Sequence, residues 1–195
     1  MNMANIIIFH SVLGITRGIV DFSEKLKEKG HQVFAVDLYN GKSFDDMQEA
    51  FDYFLSIGIP EMVDRTIKYT KDLPHDAIYI GFSNGGSSAM LLAGTKPGAK
   101  GCILLHAALP IKELGIENWP SNVPVEVHYA KVDPWKDEKN VAKLTNDIKN
   151  SGASYQYYEY SLEGHLFTDA EMHEYNKESA DLLFERVLSF INQFE

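Results

Sequence analysis

The chain has 195 residues, 45% of them apolar and 24% charged, which suits one soluble domain, taken here as residues 1–195. A net charge of −10 argues against nucleic-acid and anionic-membrane partners. The single cysteine, Cys102, excludes an internal disulfide framework, and no CxxC or HExxH spacing marks a metal site.

Short apolar runs alternate with longer amphipathic ones. The first, residues 6–9, reads as a strand; no basic segment precedes it and no small-residue cleavage site follows, so a cytoplasmic location is expected. Further strands are predicted at 32–37, 77–81, 101–106, 125–130 and 155–160, rich in Ile, Val and Tyr as strands covered on both faces are. Helices are predicted at 17–29, 44–56, 61–71, 85–94, 138–151 and 170–194. Gly30 and Gly152 stand where C-terminal caps would. The strand–helix–strand order implies an α/β fold with a mostly parallel sheet and helices on both faces. Ligands in such folds collect beyond the carboxyl ends of the strands.

Directly after one predicted strand stands Gly81-Phe82-Ser83-Asn84-Gly85-Gly86, a G-x-S-x-G turn leading into a helix. The flanking glycines permit a tight turn that lifts the Ser83 hydroxyl to a helix N-terminus, where an oxyanion is stabilised. The structural alternative is a glycine-rich loop that only packs against its neighbours. Serine needs a base, and of seven histidines His165 is best placed, after the last strand and before the last helix. His31 and His75 precede strands and are expected to be solvated; His128 within a strand and His173 in the final helix are expected to be structural. His106 ends a strand and can line the cleft, assist the base or sit as a satisfied buried histidine, the last being favoured. Asp133 is the acceptor expected to fix the His165 tautomer, and Pro134 after it holds its backbone extended. Asp137 is the rival, read instead as the cap of the next helix. Backbone amides of Asn84 and Val12 are the candidate oxyanion donors. His10 and Ser11 either border the cleft or cap its floor through hydrogen bonds. Cys102, inside the run Cys102-Ile103-Leu104-Leu105, reads as a buried structural thiol.

The loop His10-Ser11-Val12-Leu13-Gly14, the segment Val36-Asp37-Leu38-Tyr39-Asn40-Gly41, the serine turn, the stretch from Tyr129 to Asp133-Pro134, and Gly164-His165-Leu166-Phe167-Thr168-Asp169 together resemble the dienelactone hydrolase family, in the family's order over nearly the whole chain. The resemblance implies an α/β-hydrolase fold without a large lid and hydrolysis of esters or lactones. This chain departs from the family's dienelactone-opening members in three places. Ser83 stands where they have cysteine, Ser11 where they have a glutamate that engages the thiol, and Asp169 where an arginine binds the substrate carboxylate. An acidic residue there repels an anionic lactone, so dienelactone is not expected as substrate.

The function expected is a serine hydrolase acting on a small ester or lactone through Ser83, His165 and Asp133, with no metal or organic cofactor, as a monomer or small homo-oligomer. A scarcely active binding homologue and an acyltransferase or thioesterase are the alternatives. The expected pocket walls are His10, Ser11, Leu13, Phe82, Trp135, Leu166 and Phe167, with Trp119 a further aromatic candidate.

Overall fold

The computed structural model of the protein describes residues 3–194. The elements run β1 (Asn5–Phe9), α1 (Arg17–Glu28), β2 (Gln32–Val36), α2 (Met47–Ile57), α3 (Ile59–Thr70), β3 (Ala77–Phe82), α4 (Gly85–Thr95), β4 (Gly101–Leu105), a 3-10 turn (Ile111–Leu114), β5 (Val125–Val132), α5 (Glu138–Asn150), β6 (Tyr155–Glu163) and α6 (Lys177–Ile191). A last 3-10 turn covers Asn192–Phe194. All six strands form one parallel sheet in the order β2-β1-β3-β4-β5-β6. This is the α/β-hydrolase-like architecture that the sequence implies, and no lid domain is inserted among the described residues.

Alternate residues along each strand point to opposite cores. Ile7, Phe9, Tyr79, Cys102, Leu104 and Val127 pack with α4 and α5, whereas Ile6, Ile8, Ile78, Ile80, Ile103 and Leu105 pack with α1 and α6. Cys102 is fully buried, and burial pushes its thiol pKa far up, as befits a structural residue. The chain crosses from β1 to β2 on one side and returns to β3 on the other. The loops after β1 and β3 therefore diverge, and a crevice opens between them at the carboxyl ends.

Several boundaries differ from those expected. The last helix begins at Lys177, because Asn176 caps it by accepting from the Ser179 N–H; residues 170–176 form turns, and His173 lies exposed among them. Helix α2 begins at Met47 behind its cap Asp46, since Ser43 bridges to Gly14 and the Phe44 N–H donates to the Leu13 carbonyl. Pro60 is accommodated in the first turn of α3, which starts earlier than its polarity suggests. Strands β5 and β6 continue to Val132 and Glu163 by pairing with each other past an irregularity between Ala130 and Val132. His31 is buried rather than solvated, with its Nδ1 3.5 Å from the Ala4 amide. Among the described residues no helix is long and apolar enough to cross a membrane.

Candidate active site

β3 ends in a turn that requires glycine on both sides of Ser83. Ser83 adopts φ +50°, a left-handed conformation that is uncommon for a residue with a Cβ, and its N–H is tied to the Leu105 carbonyl at 2.7 Å. A Cβ on Gly81 would lie 2.4 Å from the Gly85 carbonyl oxygen, and one on Gly85 would lie 2.5 Å from the carbonyl oxygens of Phe9 and His10. Both glycines are required by close approach, and the outcome is a serine hydroxyl raised above the first turn of α4.

His165 reaches this hydroxyl from the loop after β6. Its Nε2 lies 2.7 Å from Ser83 Oγ, and its Nδ1 lies 2.8 Å from Asp133 Oδ2 and 3.0 Å from Oδ1. The loop is anchored on both sides of the ring. The Gly164 N–H donates to Val132 O, the Leu166 N–H to Glu174 Oε1, and Thr16 Oγ1 donates to Asp169 Oδ2 at 2.7 Å. Asp133 directly follows β5; its Oδ1 also accepts the Trp135 N–H at 2.8 Å, which fixes the carboxylate plane. The Asp133 side chain is fully buried, so the ring nitrogen facing it is shielded from competing water. Asp137 stands apart, accepting from the Lys139 and Asn140 amides as the cap of α5.

The amide of Asn84 opens α4, and Val12 lies across from it in the loop after β1. Both residues border a cavity of about 240 Å³ that also contains Ser83 and His165. Among the described residues neither amide meets a hydrogen-bond acceptor, so both are available to an oxygen bound above Ser83. The loop that carries Val12 is pinned by His10. The Leu38 N–H donates to His10 Nε2 at 3.1 Å, which places the proton on Nδ1 for donation to the Ser11 carbonyl; burial lowers the pKa of this ring and keeps it neutral. The Ser11 hydroxyl accepts from the Leu13 N–H.

Most of the expected pocket walls lie elsewhere. Of His10, Ser11, Leu13, Phe82, Trp135, Leu166 and Phe167, only Trp135 borders the cavity. Phe82 and Phe167 belong to the core beneath α1 and α6, because β3 and the His165 loop turn those side chains across the sheet. Leu13 and Leu166 pack together with Ala50, and Trp119 is buried with its Nε1 donating to Val123 O. His10 and Ser11 hold the β1 loop from beneath. The walls that sequence reasoning missed are Met47, Phe51 and Phe54 of α2, together with Tyr129 and Leu109. Their signal was present in the i, i+4, i+7 spacing of the α2 residues, which buries only Ala50 completely. A helix with so much apolar surface and so little of it in the core is free to cover a site.

His106 departs from expectation in a different way. It borders the cavity, its ring centroid is 5.6 Å from that of His165, and it holds φ +61°. It is buried but not satisfied: Nε2 is 3.4 Å from Thr168 Oγ1, and Nδ1 has no partner among the described residues. Burial, reinforced by His165 and His128, lowers its pKa well below the ordinary histidine range. His128, by contrast, is held between Glu126 and the Tyr160 hydroxyl inside the core.

The model of the dienelactone hydrolase family matches residues 2–195. No curated protein matches the sequence. Among solved structures, a dienelactone hydrolase-like promiscuous phosphotriesterase from metagenomic libraries superposes with a TM-score of 0.81 at 15% identity, over 97% of this chain and 86% of its own. Esterase PE8 gives 0.62 at 13% identity, over 96% and 92%. The thioesterase domain from the curacin biosynthetic pathway gives 0.62 at 13%, over 96% and 91%. Likeness at these identities establishes the shared fold, and the match along nearly the whole sequence establishes more: the chain belongs to the dienelactone hydrolase family of α/β-hydrolases.

Proposed function

We propose that this protein is a serine hydrolase that cleaves a neutral carboxylic ester or lactone through an acyl-enzyme. The observation that carries the proposal is the continuous hydrogen-bonded series from Ser83 Oγ through His165 to the buried Asp133 carboxylate. Asp133 accepts only, so it holds the proton on Nδ1 and leaves Nε2 as the base facing the hydroxyl. His165 takes the Ser83 proton as Oγ attacks the carbonyl carbon, while the Asn84 and Val12 amides receive the developing oxyanion. The proton then passes to the leaving oxygen as the acyl–oxygen bond breaks. Water, deprotonated by the same nitrogen, releases the acid and restores Ser83. Among the described residues no lysine or arginine borders the cavity, which supports a substrate without a carboxylate to be bound; Asp169, engaged by Thr16 Oγ1 and the Glu171 N–H, does not border it.

Ser83→Ala removes the nucleophile without adding bulk. Hydrolysis of p-nitrophenyl acetate is expected to fall by about four or more orders of magnitude, and labelling by a fluorophosphonate probe to vanish. Retained turnover in the folded variant overturns the assignment.

A further inference from the structure

A second cavity, of about 220 Å³, adjoins the first and shares Phe54, Asn84, Ser87 and Leu109 with it. It runs between two helices. One wall is the α3 stripe Ile59, Met62, Val63 and Thr66, and the other is the α4 stripe that continues from Asn84 through Ser87 and Ser88 to Leu91. Leu114 and Glu113 of the 3-10 turn complete it. The hydroxyls in these walls are already committed. Thr66 Oγ1 donates to Met62 O at 2.8 Å and pairs with Ser88 Oγ at 2.7 Å, while Ser87 Oγ donates to Asn84 O at 2.8 Å. What remains for a ligand is mainly hydrocarbon wall, with the Asn84 amide group at the end nearest Ser83 and, among the described residues, Glu113 as the one charged residue.

The chemistry at Ser83 determines which half of a substrate would occupy this space. The leaving oxygen must lie beside His165 Nε2 to receive its proton, and that side of the cavity is bordered by Trp135, whose ring centroid is 6.3 Å from that of His165. The acyl group, with its oxyanion at the Asn84 amide, is left the opposite direction, along α4 past Ser87. Resting on the serine-hydrolase reading, we propose that the space between α3 and α4 is an acyl-chain pocket, and that the substrates are esters of medium-length, unbranched, uncharged carboxylic acids. A chain ending in carboxylate would meet Glu113 and is disfavoured. The two cavities combined fall within the ~300–1,000 Å³ typical of small-molecule sites.

The test is a series of p-nitrophenyl esters from acetate to dodecanoate. Each methylene entering the pocket is expected to raise kcat/KM roughly threefold to fourfold, so octanoate should exceed butyrate on the order of 100-fold. Val63→Phe and Leu91→Phe, two independent ways of filling the second cavity, should each lower the octanoate-to-acetate ratio at least about tenfold. Comparing ratios within each variant removes differences in the amount of folded enzyme. Acetate turnover without any gain along the series, or ratios unmoved in both variants, refutes the acyl pocket and leaves the serine reading standing. Absence of turnover at every length, with no fluorophosphonate labelling, refutes the serine reading and the pocket with it.

Discussion

Replacing Asp133 by asparagine keeps volume and shape while changing which nitrogen of His165 carries the proton. The Trp135 N–H donates to Oδ1 at 2.8 Å, so the amide oxygen of the asparagine stays on that side and its NH2 takes the place of Oδ2, 2.8 Å from His165 Nδ1. Two N–H groups cannot face each other there; Nδ1 must become the acceptor, and the proton moves to Nε2. That nitrogen is 2.7 Å from Ser83 Oγ and can then only donate, so the serine has no base. The expected loss in kcat is about 10⁴-fold, equivalent to about 5 kcal/mol of activation free energy. Stopped-flow acylation by p-nitrophenyl acetate measures it, with circular dichroism confirming the fold. Asp137→Asn is the paired control. Asp137 caps α5 and touches no part of the triad, and asparagine caps about as well, so its activity should stay within about threefold. Asp133→Asn retaining activity within about tenfold, or Asp137→Asn losing as much as Asp133→Asn, refutes the tautomer reasoning.

Two further outcomes concern stability. Ser83→Gly and Ser83→Ala both delete the hydroxyl, but only glycine relieves φ +50°, so the glycine variant should be the more stable by about 1 kcal/mol in urea unfolding; equal midpoints would mean the turn holds no strain. His106 is buried in neutral form, with its folded-state pKa below the unfolded value. Between those values the unfolded chain binds the extra proton, so this contribution is present above about pH 6.5 and is lost on acidification. His106→Asn, a residue that tolerates φ +61°, should reduce the stability lost between about pH 7 and 5.5 by about 1 kcal/mol, measured by urea unfolding at both values.

The serine turn was legible because its constraints are local and written in backbone chemistry. Gly81 and Gly85 flank Ser83 at the spacing at which a Cβ would strike neighbouring backbone, and a strand and a helix stand on either side. His165 and Asp133 were legible through chain order, since each follows a strand whose carboxyl end must lie at the same rim of a parallel sheet. The walls were not legible in this way. Phe82, Leu166 and Phe167 sit beside triad residues in sequence, but Phe82 follows the β3 alternation into the core with Ile80, and the turn after β6 carries Phe167 into the same core. Three of the residues that do form the wall come from α2, whose spacing marks an apolar face but whose placement over the site depends on packing. His31 failed for a related reason: lying before a strand locates it at the far end of the sheet but says nothing of what covers that end.

Helix α4 joins the chemistry to the choice of substrate. In the proposed reaction the Asn84 amide at its start receives the oxyanion, and the stripe from Asn84 through Ser87 and Ser88 to Leu91 forms one wall of the second cavity. A substitution on this stripe therefore tilts or shifts the element that stabilises charge in the transition state, and should alter kcat together with chain-length preference. The opposite wall is tied to α4 through Thr66 Oγ1, which pairs with Ser88 Oγ at 2.7 Å. Among the described residues no α3 side chain borders the first cavity, whereas Ile59, Met62, Val63 and Thr66 line the second. Changes at Ile59, Met62 and Val63, away from that tie, are expected to bear on binding of the proposed acyl chain. On the proposed reading the chemical edge lies on α4 and a separate wall on α3, so substitutions at Ile59, Met62 or Val63 are expected to change the acid accepted while leaving the Ser83–His165–Asp133 arrangement in place.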